Sequence, residues 1–448
     1  MVPPGFRRRD FKLGQFMDKL ITPRAICAEL DGVAADYLEQ DGTDLLGRFD
    51  RHQAFWDGRL AAGLDPYCRT SSSRMGPACD MLTRGYEQLS GVNFASHDYL
   101  SLGSHPDLQQ AVVAAAQRWG VHAGGSVMAQ GGSLPLVALE ERIADMLACQ
   151  DVTLFPSGWA AGYGTIRAII RPGDHVLIDG NAGGCLREGA DAATVNVHQV
   201  QNRHVPAIAE QIKRIRAADA RAGILIATEA LFSANSEVAD LRDLQNLCRL
   251  YGATLLVDVS NDLGAIGNGG LGFLGDQAMV GEVDIVIGSF SRTFASNGGF
   301  VASRSTTLKQ ALRVFAGPLK SSGALSPVQA AVALAAFEIV QSAEGVQRRR
   351  ALMANVMRLR NGLAAHAFTV LGQPSAIVPV ALGTLAEGRV MTKVALAAGA
   401  LVNNFEHQAI GGKSACWPLL VMADHTAEHI DKMIAVALLA RARVVQAG

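Results

Sequence analysis

From about residue 151 onward two patterns alternate along the chain. Short apolar runs occur in VTLFPS, HVLID, TVNVH, GILIATEALFS, TLLVDVS and DIVIGSF. Between them, Trp159 to Ile170, Cys185 to Ala192, Ile208 to Ala217 and Leu241 to Tyr251 repeat apolar residues at helical spacing. Runs that are apolar on both faces and separated by helices predict a mostly parallel sheet covered on both sides. In such sheets ligands bind beyond the carboxyl ends of the strands. Upstream, the glycine-rich HAGGSVMAQGGS leads into a helix with Leu136, Leu139, Ile143 and Leu147 on one face. After Pro327 the pattern predicts long helices. AIVPVAL, a helix near Val390 to Ala398, LVNNF, WPLLVMA and a closing helix from Thr426 to Val445 then predict a smaller α+β domain. FKLGQFMDKLI and ICAELDGVAADYLEQ predict two short amphipathic helices near the N-terminus. SSSRMGP, Ser71 to Pro77, is a turn-rich break. The boundaries expected are an N-terminal arm over residues 1–91, a large domain over 92–330, and linker helices with a small domain over 331–448.

Composition narrows the partners. With 448 residues, 49% hydrophobic and 18% charged, the chain can bury a large core and more than one domain. Its 40 basic and 41 acidic residues leave a formal charge of -1, so no overall field favours nucleic acid or anionic membrane. Small ligands and other proteins are the expected partners. Seven scattered cysteines without C-x-x-C spacing predict neither a disulfide frame nor a zinc or other metal site, and point to a reducing, cytoplasmic compartment. No signal peptide follows Arg7 to Arg9, and no stretch reaches the about 18 apolar residues that a membrane span requires.

Several ordered segments then carry a resemblance. They are NFASHDYLSLG, with Asp98, Tyr99 and Leu100, then FPSGWAAG at Phe155 to Gly162 and TEALFSANSEVADL at Thr228 to Leu241. LLVDVSNDLGAIGNGGLG at Leu255 to Gly272 and DIVIGSFSRTFASNGGFVAS at Asp284 to Ser303 complete the set. From about Asn93 to the C-terminus the chain resembles the α-oxoamine synthases, the family of 8-amino-7-oxononanoate synthase and serine palmitoyltransferase. These join an amino acid to an acyl thioester with pyridoxal phosphate. The resemblance implies a fold-type-I large domain with a mostly parallel seven-stranded sheet, an acyl thioester of coenzyme A or carrier protein as substrate, and a two-fold dimer. It implies phosphate contacts from Ser157, Gly158, Trp159, Ser289 and Ser291, and a pyridinium contact from Asp258. It also implies substrate contacts from Glu229, Ser233 and Ser322.

Four positions depart from the family pattern. Arg292 stands at the position of the aldimine lysine, Gly183 at the ring-stacking imidazole, and Asn261 at the histidine that contacts the ring oxygen. Cys416 and Pro418 stand at the arginines that bind the substrate carboxylate. A guanidinium forms no Schiff base, so the sequence predicts no covalent cofactor, with pyridoxal phosphate lost or held non-covalently. Three functions follow from this. One is an acyltransferase without an internal aldimine, with Arg292, Asn261 and His198 as catalytic candidates and Arg292 gripping an oxyanion or a coenzyme A phosphate. Another is an inactive subunit paired with a lysine-bearing paralogue. The last is a protein holding pyridoxal or pyridoxamine phosphate non-covalently. Blander roles stand beside these: Arg292 as a salt-bridged filler, Asp258 as an anchor of the sheet end, and Cys185 as a structural thiol rather than a nucleophile. Lys320 is expected to be a solvated loop residue, and Arg348 to Arg350 a solvated helix face or subunit contact.

Overall fold

A computed structural model describes residues 30, 32–39, 41–201, 204–407 and 414–445. The predicted helix in FKLGQFMDKLI lies outside them. In the described part of ICAELDGVAADYLEQ, residues Ala34–Tyr37 form a 3-10 turn, and an α-helix follows further on at Asp50–Ala61.

Three short strands come first, β1 (Thr70–Ser71), β2 (Ala78–Leu82) and β3 (Gln88–Asn93). The large sheet follows with β4 (Asp151–Phe155), β5 (His175–Asp179), β6 (Val197–Val200), β7 (Ile224–Glu229), β8 (Thr254–Asp258), β9 (Ile285–Ser289) and β10 (Gly299–Ser303). Its spatial order is β4-β10-β9-β8-β7-β5-β6. β5 through β9 pair in parallel, and β10 is the one reversed strand, antiparallel to both β4 and β9.

The apolar runs noted in the sequence become strands buried on both faces. Along β8, Leu255 and Val257 enter one hydrophobic core and Leu256 enters the other, as the period of two requires. The intervening helices are delimited by local chemistry. Asp240 caps Leu241–Tyr251 by accepting from the Asp243 N–H, and Gly252 ends it at φ +62, a conformation that costs a residue without Cβ little.

The C-terminal part adds β11 (Ile377–Thr384), β12 (Ala400–Leu401), β13 (Phe405–His407) and β14 (Ser414–Leu420). β11, β14 and β13 form a small antiparallel sheet. β12 leaves it to run parallel with β3, making a second small sheet in the order β1-β2-β3-β12. The approach is close: a Cβ on Gly91 would lie 2.1 Å from the Gly399 carbonyl oxygen.

The N-terminal helix is tied to this C-terminal part by buried charge. Glu406 accepts from Arg59 at 2.8 Å and 3.1 Å and from Arg389 at 2.6 Å and 2.9 Å. The Arg59 guanidinium also lies 5.1 Å from the Trp56 ring centre and 5.6 Å from that of Tyr67. These contacts partly replace the water both arginines have lost. Among the described residues no helix is long and apolar enough to cross a membrane, and no three His, Cys, Asp or Glu side chains are grouped to hold a metal ion.

Candidate active site

Parallel strands deliver their last residues to one edge of the sheet. Glu229 ends β7 and Asp258 ends β8, and the two are register partners. Ser289 ends β9 beside them. The helix Gly158–Ile169 points its N-terminus at the same edge, capped by Ser157, whose Oγ accepts from the Ala160 N–H at 3.1 Å. A Cβ on Gly158 would lie 2.4 Å from the Ser289 Cβ, and one on Gly299 would lie 2.5 Å from the Gly158 Cα. These glycines therefore permit a contact that any larger residue would block. The result is a cradle of helix-terminal amides and two hydroxyls, Ser289 and Ser291, which share a hydrogen bond of 2.8 Å. Such a terminus favours an anion. Trp159, in the first turn of that helix, is 47% exposed and stacks on Tyr163.

The carboxylates are held individually. Glu229 accepts from the Gly183 N–H at 2.5 Å and from Asn261 Nδ2 at 3.0 Å. A Cβ on Gly183 would lie 3.1 Å from the Glu229 Oε1, so the glycine favours this approach. Asn261 also donates to the Leu231 carbonyl at 2.8 Å. Asp258 accepts from the Ser260 N–H at 2.8 Å. Burial raises both carboxyl pKa values; Asp258 adds to the rise at Glu229, and Arg292 opposes it at both.

Arg292 sits at the centre of this charge. Burial disfavours its cation, but Tyr99, Asp258 and Glu229 outweigh that and hold the guanidinium protonated. Its Nε is sealed from solvent without a hydrogen-bond partner, and the same is true of the Tyr99 hydroxyl and the Asn261 Oδ1. His97 also faces Arg292. Burial, with Arg292 second, pushes the imidazole down to about 3 and keeps it neutral. Deeper in, Asp262 accepts from the Phe273 N–H at 2.7 Å, while its Oδ1 has no partner. Burial raises Asp262 to about 7, with Asp258 adding to the rise.

The sequence candidates therefore divide. Ser157, Gly158, Trp159, Glu229, Asp258, Asn261, Ser289, Ser291 and Arg292 lie along this edge. His198 does not join them: it lies on the outer strand β6, bonded to His175 at 2.9 Å and to Gln211 at 3.1 Å. As a catalytic candidate it is corrected, because its strand is the sheet's outermost and its ring is spent on those two partners. Ser322 and Lys320 are exposed in the segment whose Ala324 N–H donates to Gly125, and Ser233 is half-buried after β7. Among the described residues Arg292 makes no direct ion pair, and Asp258 and Glu229 act on it from further off. Cys185 is a poor nucleophile, since burial, then Asp258 and Glu229, push its thiol well up. Arg348 bonds Glu344, Asp424 and the Leu100 carbonyl, and Arg349 is buried against the Val340 carbonyl, so this run is not a uniformly solvated face. Tyr99, His97 and Asp262 were not expected in the site. The DYL turn was visible as a motif, but its route back to Arg292 is tertiary.

Comparison with known proteins agrees with this architecture. The family described as aminotransferase class I and II matches residues 90–436. The 8-amino-7-oxononanoate synthase of Klebsiella pneumoniae is 30% identical over 382 residues, covering 85% of this chain and 97% of that protein. That of Geobacter metallireducens is 30% identical over 341 residues, covering 76% and 86%. Among solved structures, a lysine-to-alanine variant of Serine Palmitoyltransferase from S. paucimobilis with bound PLP-Myriocin Aldimine superposes with a TM-score of 0.83. It is 24% identical and covers 90% of this chain and 100% of its own. A structure of SPT with PLP internal aldimine gives 0.82, at 24% identity and the same coverage. These relatives overturn the expectation that the cofactor is lost or non-covalent. One of those solved structures holds PLP as an internal aldimine, and the lysine-to-alanine variant holds it as an aldimine with myriocin.

Proposed function

The chain belongs to the aminotransferase class I and II family and, within it, to the α-oxoamine synthases, and from that premise we propose that it transfers an acyl group from a thioester to an amino acid. Pyridoxal phosphate is the cofactor proposed, and the acyl carrier is coenzyme A or acyl carrier protein. One observation carries this: a carboxylate at the end of β8 lies on the same sheet edge as a glycine-lined helix N-terminus. The cradle around Gly158 and the unpartnered Asn261 Oδ1 suit a ring with a phosphate. The amides after Ser157, with Ser289 and Ser291, would take the phosphate. Asp258 would accept from the ring nitrogen. Bound there, the cofactor supplies an electron sink for charge developing on the amino acid's α-carbon.

The remaining residues position and shield. Asn261 fixes Glu229, and Trp159 offers an exposed indole face at the mouth. Arg292 places positive charge beside the reacting groups, where exclusion of water strengthens its effect. The six described cysteines are free, which supports a reducing cytoplasm as the place of action. A dimer of two copies is part of this proposal.

The test is to incubate purified protein with pyridoxal phosphate, a panel of acyl thioesters and small amino acids, and to follow thiol release with mass detection of the product. Amino-acid-dependent release is expected. No release above blank from any member would overturn the proposal.

A second function, a subunit that completes the site of a lysine-bearing homologue, is favoured by the guanidinium at the centre of this one. Native mass spectrometry of the co-expressed pair decides it. Heterodimers in preference to homodimers support the subunit, and homodimers alone remove it.

A further inference from the structure

Arg292 is a largely enclosed charge beside the Tyr99 hydroxyl. Among the described residues it makes no direct ion pair, although Asp258 and Glu229 act on it from further off. The Nε is closed to solvent and unbonded, while the side chain as a whole keeps part of its surface accessible. Beside it, the fully buried Tyr99 hydroxyl is equally unbonded, and His97 is neutral. An arginine seldom pays the cost of leaving water without a carboxylate or phosphate to meet its planar fork. The phosphate cradle lies instead at Ser157, Gly158, Ser289 and Ser291, which leaves a carboxylate as the anion for Arg292.

The family resemblance puts the carboxylate-binding arginines on β14, and this chain has none there. β14 reads SACWPLL; Cys416 is wholly buried, and Pro418 is paired across from Pro379. Burial keeps the Cys416 thiol neutral, so the strand presents no charge to an acid.

We propose that Arg292, assisted by the Tyr99 hydroxyl, anchors the carboxylate of a small α-amino acid. Its carboxylate meets the guanidinium and supplies partners to the Arg292 Nε and the Tyr99 hydroxyl, two of the orphaned atoms. The inference rests on the acyl-transfer proposal for its ligand class, but binding and transfer are read separately.

Calorimetric titration of the full chain, with and without pyridoxal phosphate, compares L-serine, L-alanine and ethanolamine. The amino acids are expected to bind and ethanolamine, which lacks the carboxylate, to bind about 10- to 100-fold more weakly. R292Q is expected to lose affinity for L-serine by a similar factor of about 10 to 100. Y99F guards against a misfolded R292Q, with circular dichroism as the control, and is expected to lose about fivefold, the value of one hydrogen bond. Equal affinity of wild type and folded R292Q for L-serine, equal affinity for ethanolamine and L-serine, or no binding of any amino acid to wild type would overturn the proposal. Arg292-dependent binding without thiol release would sink the acyl-transfer function and leave the anchor standing. Thiol release indifferent to R292Q would do the reverse.

Discussion

Asp262 shows how a single side chain sets a dependence on pH. Its Oδ2 holds the Phe273 amide, its Oδ1 is unpartnered, and burial lifts it from an ordinary aspartate to about 7. Between an unfolded value near 4 and the folded value, the native state holds a proton that the unfolded chain has released. Stability is therefore fully present below about pH 4 and is lost as pH rises to about 7. D262N removes the titration. Its melting temperature should fall less than that of wild type between pH 5 and 8, and at pH 8 it should be more stable by about 1–3 kcal/mol. Parallel melting curves for the two proteins would contradict this. Glu229, raised by burial and Asp258, contributes in the same direction. None of this was visible in the sequence, where Asp262 is one acid in a glycine-rich turn. Its environment is created by Gly272, where a Cβ would lie 2.3 Å from the Asp262 Oδ2.

Elements owe their places to a few contacts between them. The Gly158 helix reaches the β9 turn only because Gly158 is bare, so G158A should weaken pyridoxal phosphate binding at least about tenfold and cost about 1–3 kcal/mol through overpacking. Absorbance titration with the cofactor and urea unfolding measure the two, and unchanged affinity would show that the cradle is not the phosphate site. The helix Asp50–Ala61 depends instead on Glu406. E406Q leaves two guanidinium groups facing each other with their shared charge removed, at a cost of about 3–5 kcal/mol by chemical denaturation. The sheet elements and most of their helices were legible because both kinds announce themselves locally. Leu241 to Tyr251 carries its cap, its period and its terminal glycine, and β7 and β8 are apolar on both faces. β3 and β12 were not. QLSGVN and AL carry no alternation, and pairing between them is decided by a partner far along the chain. For the site, Ser157, Glu229, Asp258 and Arg292 could be placed because they end or follow apolar strands. His198 was misplaced because its sequence neighbourhood does not show that β6 is outermost.

Across the whole molecule, β3 and β12 join the beginning of the described chain to its last third. Gly91 and Gly399 make the crossing point, and Gly399 takes φ +77. G91A should loosen that junction before it unfolds the large sheet. Amide hydrogen exchange is expected to accelerate over residues 78–93 and 400–401 while β7 and β8 stay protected, and uniform acceleration would show that the junction is not a separate unit. During synthesis the same pairing imposes a wait. Val92 emerges from the ribosome roughly 15–60 s before Ala400 at about 5–20 residues per second. Through that interval β3 has β2 on one side and an open edge on the other, and a prematurely truncated chain would present that bare edge to proteases.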